Sequence, residues 1–211
     1  VGATKDEVDD VARAYWDIGV RHIVALRGDM PKIGENYRPH DGGYQNAADL
    51  VHGLKKIGNF DISVAAYPET HPDSNNVEAD IDNLKRKVDA GADRAITQYF
   101  FDTDIYFRFM DKVLAAGIEV PIVPGVMPVT NFKMARSFSE RCGTSVPKWL
   151  EQLFSGLEDT PDIRRHVASM VTAEQCQRLA RGGVKNYHFY TLNRAELTYT
   201  ICHILGIRPE G

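Results

Sequence analysis

At 211 residues, 43% of them hydrophobic and 26% charged, the chain is long enough to bury one sizeable core, with roughly 70% of its unfolded surface removed from water. Its 25 Lys and Arg against 29 Asp and Glu, a formal charge of −4, argue against a bulk nucleic-acid binder and against an acidic disordered tail, and leave room for a local anion site. Cys142, Cys176 and Cys202 make neither a CxxC pair nor an even set, so a disulfide framework is not expected and a cytoplasmic setting fits. Apolar runs such as 118–127 are broken by Glu, Pro and Gly and fall short of the roughly 20 residues that span a bilayer. The opening Val1-Gly2-Ala3-Thr4-Lys5 has no Met, no basic segment and no apolar segment, and reads as a chain entered in mid-fold.

In chain order the pattern repeats: a short β-rich apolar run, a polar or glycine-containing loop, then a stretch of helical periodicity. Strands are expected at His22 to Leu26, Ile62 to Tyr67, Arg94 to Phe100, Val120 to Val126 and Tyr187 to Leu192. Helices are expected near Glu7 to Trp16, Asn46 to Ile57, Val77 to Ala90, Asp104 to Ala115, Phe132 to Glu140 and Arg194 to Leu205. Ile-Ser-Val-Ala-Ala-Tyr lacks strict alternation, which suits parallel strands covered on both faces. Gly19, Gly91 and Gly117 stand where helices stop before the next strand.

Two stretches depart from this rhythm. A polar insertion from Pro31 to Gln45 follows the first strand, either disordered or lining a site. Between 144 and 183 no strand is evident; one helix is expected from Pro147 to Phe154, a second starting at Thr160-Pro161 and a third starting at Thr172. This reads as an extra helical segment before the last strand, within a single domain spanning 1–211.

In a parallel α/β protein ligands collect at the carboxyl ends of the strands. The first such end is Arg27-Gly28-Asp29, where glycine permits close backbone approach and Asp29 could tune proton transfer; a solvated ion pair is the plainer alternative. The second is Tyr67-Pro68-Glu69-Thr70-His71-Pro72, where Tyr67 offers a planar ring and His71 a donor for an anionic oxygen, a purely structural role being the alternative for each. The following helix opens on a cap signal at Asn75 with Glu78. Its apolar stripe, Val77, Ile81, Leu84 and Val88, is flanked by Asp80, Asn83 and Lys87. Asp80 could accept sugar hydroxyls and Asn83, Arg86 and Lys87 could engage a pyrophosphate, unless this is an ordinary solvated surface.

Gln98 lies in an aromatic run where a buried amide needs partners, either a ligand's polar edge or the protein itself. Asn193 with Glu196 gives a capping-box pattern, and Arg194 in the first turn is a cation at the positive end of a helix dipole, which an anionic ligand would relieve. The seven histidines form no HExxH or other short metal constellation, with His52 and His166 reading as surface residues. Zinc and hydrolysis are poor bets.

These residues together resemble the methylenetetrahydrofolate reductase family, especially its bacterial catalytic domain. The resemblance rests on Leu26-Arg-Gly-Asp29, Ala65-Ala-Tyr67-Pro-Glu69 with His71-Pro72, Leu84-Lys-Arg-Lys-Val-Asp-Ala-Gly91-Ala, Ile96-Thr-Gln98 with Phe100-Phe101-Asp102, Pro124-Gly125 with Pro128 and Asn131-Phe132, and Phe189-Tyr-Thr-Leu-Asn-Arg194-Ala-Glu196. It implies an α/β fold of the (β/α)8 TIM-barrel type, with this chain supplying about the last five strands. It also implies FAD as cofactor, NADH or NADPH as reductant, and reduction of 5,10-methylenetetrahydrofolate to 5-methyltetrahydrofolate by two successive hydride transfers.

The resemblance places Arg27, Asp29, Tyr67, His71, Asp80, Asn83, Arg86 and Lys87 around FAD, Asp29 also near the reacting centre as the catalytic residue. Gln98, Phe138, Tyr190 and Arg194 correspond to substrate contacts. It implies self-association, with no nucleic-acid or membrane partner. Met134 stands where bacterial relatives often carry a polar residue near folate, and Ala92 reads as a packing residue. The family's first strands and a catalytic glutamate have no counterpart in these residues, so a flavin- or folate-binding fragment without turnover is the alternative, and a structural α/β module a third.

Overall fold

The computed structural model describes residues 1–30 and 37–208; most of the Pro31 to Gln45 insertion's first half therefore lies outside the described residues. Among the described residues there are five strands, β1 (His22–Ala25), β2 (Asp61–Ala66), β3 (Arg94–Tyr99), β4 (Ile122–Val126) and β5 (His188–Phe189). Eight helices accompany them: α1 (Lys5–Asp17), α2 (Ala47–Ile57), α3 (Val77–Asp89), α4 (Thr103–Ala115), α5 (Phe132–Cys142), α6 (Lys148–Phe154), α7 (Pro161–Arg181) and α8 (Ala195–Ile204). The sheet order is β1-β2-β3-β4-β5. β1 pairs parallel with β2 from His22↔Asp61 to Ala25↔Val64, and β4 pairs parallel with β5 at Gly125↔His188 and Val126↔Phe189. Strand order follows chain order without reversal, unlike the doubly wound sheets that bind ligands at a switch point.

The expected α/β alternation forms because local signals agree with it. Thr4 and Glu7 close a capping box at α1, and Asn46 accepts the Asp49 N–H at α2. Asn131 does the same for Met134 at α5, which ends on Gly143 in the left-handed region at φ 70°.

The chain divides into two compact units, the first comprising Val1–Ala66, Ile81–Ile96 and Leu114–Ile122 and the second Tyr67–Asp80, Thr97–Val113 and Val123–Gly211. In the first, Ile62, Val64 and Ala66 alternate into the core with Val51, Leu54, Leu84 and Ala95, and Trp16 meets Phe60 edge-on at 5.0 Å. The Lys55 ammonium bridges the Phe60 carbonyl at 2.7 Å and the Asp93 carboxylate at 2.8 Å. The described end of the insertion packs on α1: the Lys5 N–H donates to the Gly42 carbonyl at 2.9 Å, and the Tyr44 hydroxyl donates to Asp9 at 2.5 Å. In the second unit, Tyr99, Phe101, Met127, Leu150, Phe154, Ala173, Leu197 and Ile201 belong to one apolar cluster.

Several local expectations are corrected. The two helices expected from Thr160 and Thr172 are one 21-residue helix, α7. Thr172 is buried and its hydroxyl donates back to the Ala168 carbonyl at 2.8 Å, a mid-helix bond rather than a cap. The cap of α3 is Asn76, not Asn75: its side chain accepts the Ala79 N–H at 2.8 Å.

At α8 the cap position falls to Arg194 with no side-chain bond, and no capping box forms. Asn193 at φ 60° and Leu192 at φ 49° turn the chain through the left-handed region, which takes the Asn193 side chain out of capping geometry. Coverage of both strand faces holds at β2, where Ile62, Ser63, Val64 and Ala66 are buried, but not at β1, where Val24 is 53% exposed. β3 alternates, burying Ala95, Thr97 and Tyr99 and leaving Arg94, Ile96 and Gln98 only partly covered.

Candidate functional site

In the second unit the chain leaving β2 starts with Tyr67, whose ring meets His71 at 4.4 Å and 90°. The His71 Nδ1 accepts the Asp73 N–H at 2.9 Å. In the neutral ring this tautomer carries its proton on Nε2, a donor suited to an anionic oxygen. The loop is closed by Asp80, 7% exposed, which accepts the His71 N–H at 2.8 Å and the Ser74 hydroxyl. Asp80 thus sits under the loop rather than on the open polar stripe that its spacing suggested.

β3 contributes Gln98, half-buried, whose Oε1 accepts the Tyr99 N–H at 3.0 Å. Its neighbours, Tyr190 half-buried and the others buried, form a polar lattice. The Tyr99 hydroxyl pairs with the Ser139 hydroxyl at 3.1 Å, and the Thr144 hydroxyl donates to the Tyr99 carbonyl at 3.2 Å. The Tyr190 hydroxyl donates to the Thr97 carbonyl at 3.0 Å.

Burial pushes the Tyr190 phenol up to about 12, helped by Tyr67, Cys142 and Tyr99 nearby. Burial likewise pushes Tyr99 up to about 12, against the bond from Ser139. Both rings are therefore neutral hydrogen-bonding groups at physiological pH. Phe138, adjacent to Ser139 on α5, lies half-buried under the Arg141 guanidinium at 4.4 Å.

The structure joins Tyr67, His71 and Asp80 through a ring contact and a hydrogen bond, and Gln98 and Tyr190 through Thr97 and Tyr99, with Tyr67 close enough to Tyr190 to act on it electrostatically. Arg194 is exposed, its N–H on the Thr191 carbonyl at 3.0 Å, and no bond ties it to that group. Met134 is 54% exposed in the first turn of α5. Sequence reasoning missed Thr97, Tyr99, Ser139 and Glu69, although the period-two alternation of β3 does set Thr97 and Tyr99 on one face. Both oxygens of Glu69 accept the Ser145 N–H, at 3.1 and 3.0 Å, tying the loop after β2 to the segment after α5.

In the first unit the Arg27 guanidinium lies over the Tyr37 ring at 4.2 Å and 4.0 Å from the Asp29 carboxylate, whose side chain is 98% exposed. Gly28 between them has φ 77°, a conformation glycine adopts without cost. On α3, Asn83 accepts from Arg86 at 3.3 Å, and Arg86 is exposed. Lys87 is 4% exposed and its ammonium donates to the Ala65 carbonyl near the end of β2 at 2.5 Å. A lysine directed onto a strand carbonyl is not an ordinary solvated helix face. Ala92 is buried, 4% exposed, as a packing residue.

The profile of the family described as methylenetetrahydrofolate reductase matches residues 1–206. The chain belongs to the methylenetetrahydrofolate reductase family. It is 51% identical over 210 residues to the 5,10-methylenetetrahydrofolate reductase of Escherichia coli strain K12, covering 99% of this chain and 69% of that relative. It is 50% identical over 210 residues to the enzyme of the same name from Pectobacterium carotovorum subsp. carotovorum, covering 100% of this chain and 68% of the relative. A solved structure of an uncharacterised Clostridium thermocellum protein, which binds two copies of 5-methyl-5,6,7,8-tetrahydrofolic acid, superposes at TM-score 0.56 with 17% identity, over 95% of this chain and 67% of that one. At that identity the likeness is one of fold. As a family member the chain is related to oxidoreductases acting on folate. Among the described residues no helix is long and apolar enough to cross a membrane.

Proposed function

We propose that the chain reduces 5,10-methylenetetrahydrofolate to 5-methyltetrahydrofolate, with FAD as carrier and NADH or NADPH as reductant, in two successive hydride transfers. The observation that carries this reading is the family match along nearly the whole chain, 51% identity to a 5,10-methylenetetrahydrofolate reductase over 99% of its residues. The five-stranded sheet, in chain order without reversal, supports reading it as about the last five strands of a (β/α)8 barrel. Self-association is part of the same reading.

The donor set suits the flavin. Arg86 offers a cation for a pyrophosphate, with Asn83 beside it and Lys87 adding a buried ammonium, and Arg27 offers a further cation to the cofactor. The perpendicular Tyr67 and His71 rings offer a planar face and an N–H, and Asp80 holds the loop that presents them. When bound, the flavin supplies an acceptor and donor of hydride that no side chain can provide. In this reading Asp29, exposed beside Gly28, supplies a negative charge that acts electrostatically on the reacting rings.

The Gln98 carbonyl oxygen accepts the Tyr99 N–H, which orients the amide, and its NH2 group supplies donors for a pterin or a carboxamide. Tyr190 and Phe138 supply ring surface, and Arg194, at the start of α8, supplies a cation for a carboxylate tail. The C. thermocellum protein's methyltetrahydrofolate is the product class this reading assigns.

The test is spectroscopic. FAD titrated into the full chain should yield a perturbed visible spectrum, bleached anaerobically by NADH or NADPH and restored by methylenetetrahydrofolate. FAD binding without folate-dependent reoxidation would replace the reading with a flavin-binding fragment.

A further inference from the structure

We propose that Thr97 is a positioning residue for the folate site, setting where Tyr190 stands relative to Gln98. The inference rests on the reading of Gln98 and Tyr190 as substrate contacts and goes beyond it by naming what holds them in place. Thr97 has no exposed surface and uses both of its acceptors. Its hydroxyl oxygen accepts the Gly125 N–H from β4 at 2.9 Å, and its carbonyl accepts the Tyr190 hydroxyl at 3.0 Å. That carbonyl belongs to the peptide group whose nitrogen is Gln98's, so Tyr190 is anchored one bond away from the Gln98 backbone.

Tyr190 is held at its other end as well, because its N–H donates to the Val126 carbonyl at 2.9 Å. Gly125 makes the arrangement possible. A Cβ there would stand 2.2 Å from the Thr97 carbonyl oxygen and 2.6 Å from Tyr190 Cε2, distances that real side chains do not tolerate. The tyrosine ring therefore lies across the bare backbone of β4 to reach β3. Thr97 fixes the separation of those two strands at that point through its hydroxyl and receives the ring's hydroxyl through its carbonyl. A buried β position with no polar duty would favour valine, which has the same shape; valine would leave the buried Gly125 N–H without its acceptor.

The experiment compares Thr97→Val and Thr97→Ser in the full chain, with 3-fluorotyrosine at position 190. Thr97→Val should raise the KM for methylenetetrahydrofolate about tenfold with a smaller change in kcat, the pattern of lost binding, and should move the fluorine resonance. Thr97→Ser, which keeps the acceptor, should restore KM to within about twofold and the resonance to its original position. A valine variant with unchanged KM and an unmoved resonance overturns the proposal, as does a serine variant as impaired as valine.

If Thr97→Val does not fold, Tyr190→Phe removes the hydroxyl from the same carbonyl. It should raise the folate KM in the same way, and an unchanged KM there is equally fatal to the idea. Absence of any folate-dependent turnover in the unmodified chain takes down the functional reading, while the fluorine comparison still decides whether Thr97 holds Tyr190.

Discussion

Asp80 and His71 are nine residues apart and joined by one hydrogen bond: the Asp80 carboxylate accepts the His71 N–H at 2.8 Å. With the Ser74 hydroxyl on its other oxygen, Asp80 fastens the loop that carries His71 to the first turn of α3, where the helix dipole also favours a carboxylate. The side chain that spacing marked as a sugar contact is thus also the clasp of its neighbouring site residue.

Replacing Asp80 with alanine removes two hydrogen bonds at a buried position. A loss of about 1–3 kcal/mol of stability is expected in urea unfolding, together with weaker FAD retention. An unchanged unfolding midpoint with unchanged retention would show that the clasp is dispensable.

Gly125→Ala tests the close approach of β3, β4 and Tyr190. The added methyl meets the Thr97 carbonyl at 2.2 Å and the backbone must shift, costing about 1–3 kcal/mol by the usual scale of overpacking. Thermal unfolding checks the cost; a melting temperature equal to that of the parent chain would contradict the packing described.

The Asp93 carboxyl has its pKa pushed up by burial, but the bond from Lys55, the Ile62 N–H, and the Lys55 and Arg94 charges outweigh this and lower it overall. A carboxyl whose folded pKa is depressed stabilises the fold fully above its unfolded pKa, about 3.9, and loses that contribution as pH falls through the lower folded value. Asp93→Asn should therefore be less stable than the parent chain at neutral pH and approach it as pH falls below about 4. A stability gap independent of pH would refute the assignment.

Alkaline titration offers an independent check of the half-buried Tyr190. A free phenol ionises near pH 10, whereas burial moves Tyr190 up to about 12. The folded-state preference for the neutral ring contributes stability below about pH 10 and loses it as pH rises towards the higher value. Tyr190→Phe should remove amplitude from the late part of the phenolate absorbance change near 295 nm. Loss of amplitude from the early part instead would mean that the ring is not buried as described.

The residue pattern determined the fold class, the place of every strand and most helix ends, because those follow from apolar periodicity and short-range caps acting within a few residues. β1, β2, β3 and β4 start and end within a residue or two of their expected positions. Where a local signal had two readings, distant neighbours decided between them. Thr172 resembles a helix start, yet it lies mid-helix with its hydroxyl on Ala168, and Asn193 resembles a cap, yet its backbone turns left-handed.

The site divides in the same way. Spacing alone marked Gln98, His71 and Lys87 as candidates, since polar groups at strand ends and along an apolar face are visible as types in an order. The burial of Lys87 on a strand carbonyl, the closing of a loop by Asp80 and the anchoring of Tyr190 through Thr97, 93 residues away in sequence, were decided only in three dimensions. The Lys87 and Tyr190 bonds join groups 22 and 93 residues apart and exist only after strand and helix have brought their partners within about 3 Å of one another, whereas the Asp80 clasp spans nine residues and depends on the path of the loop between them.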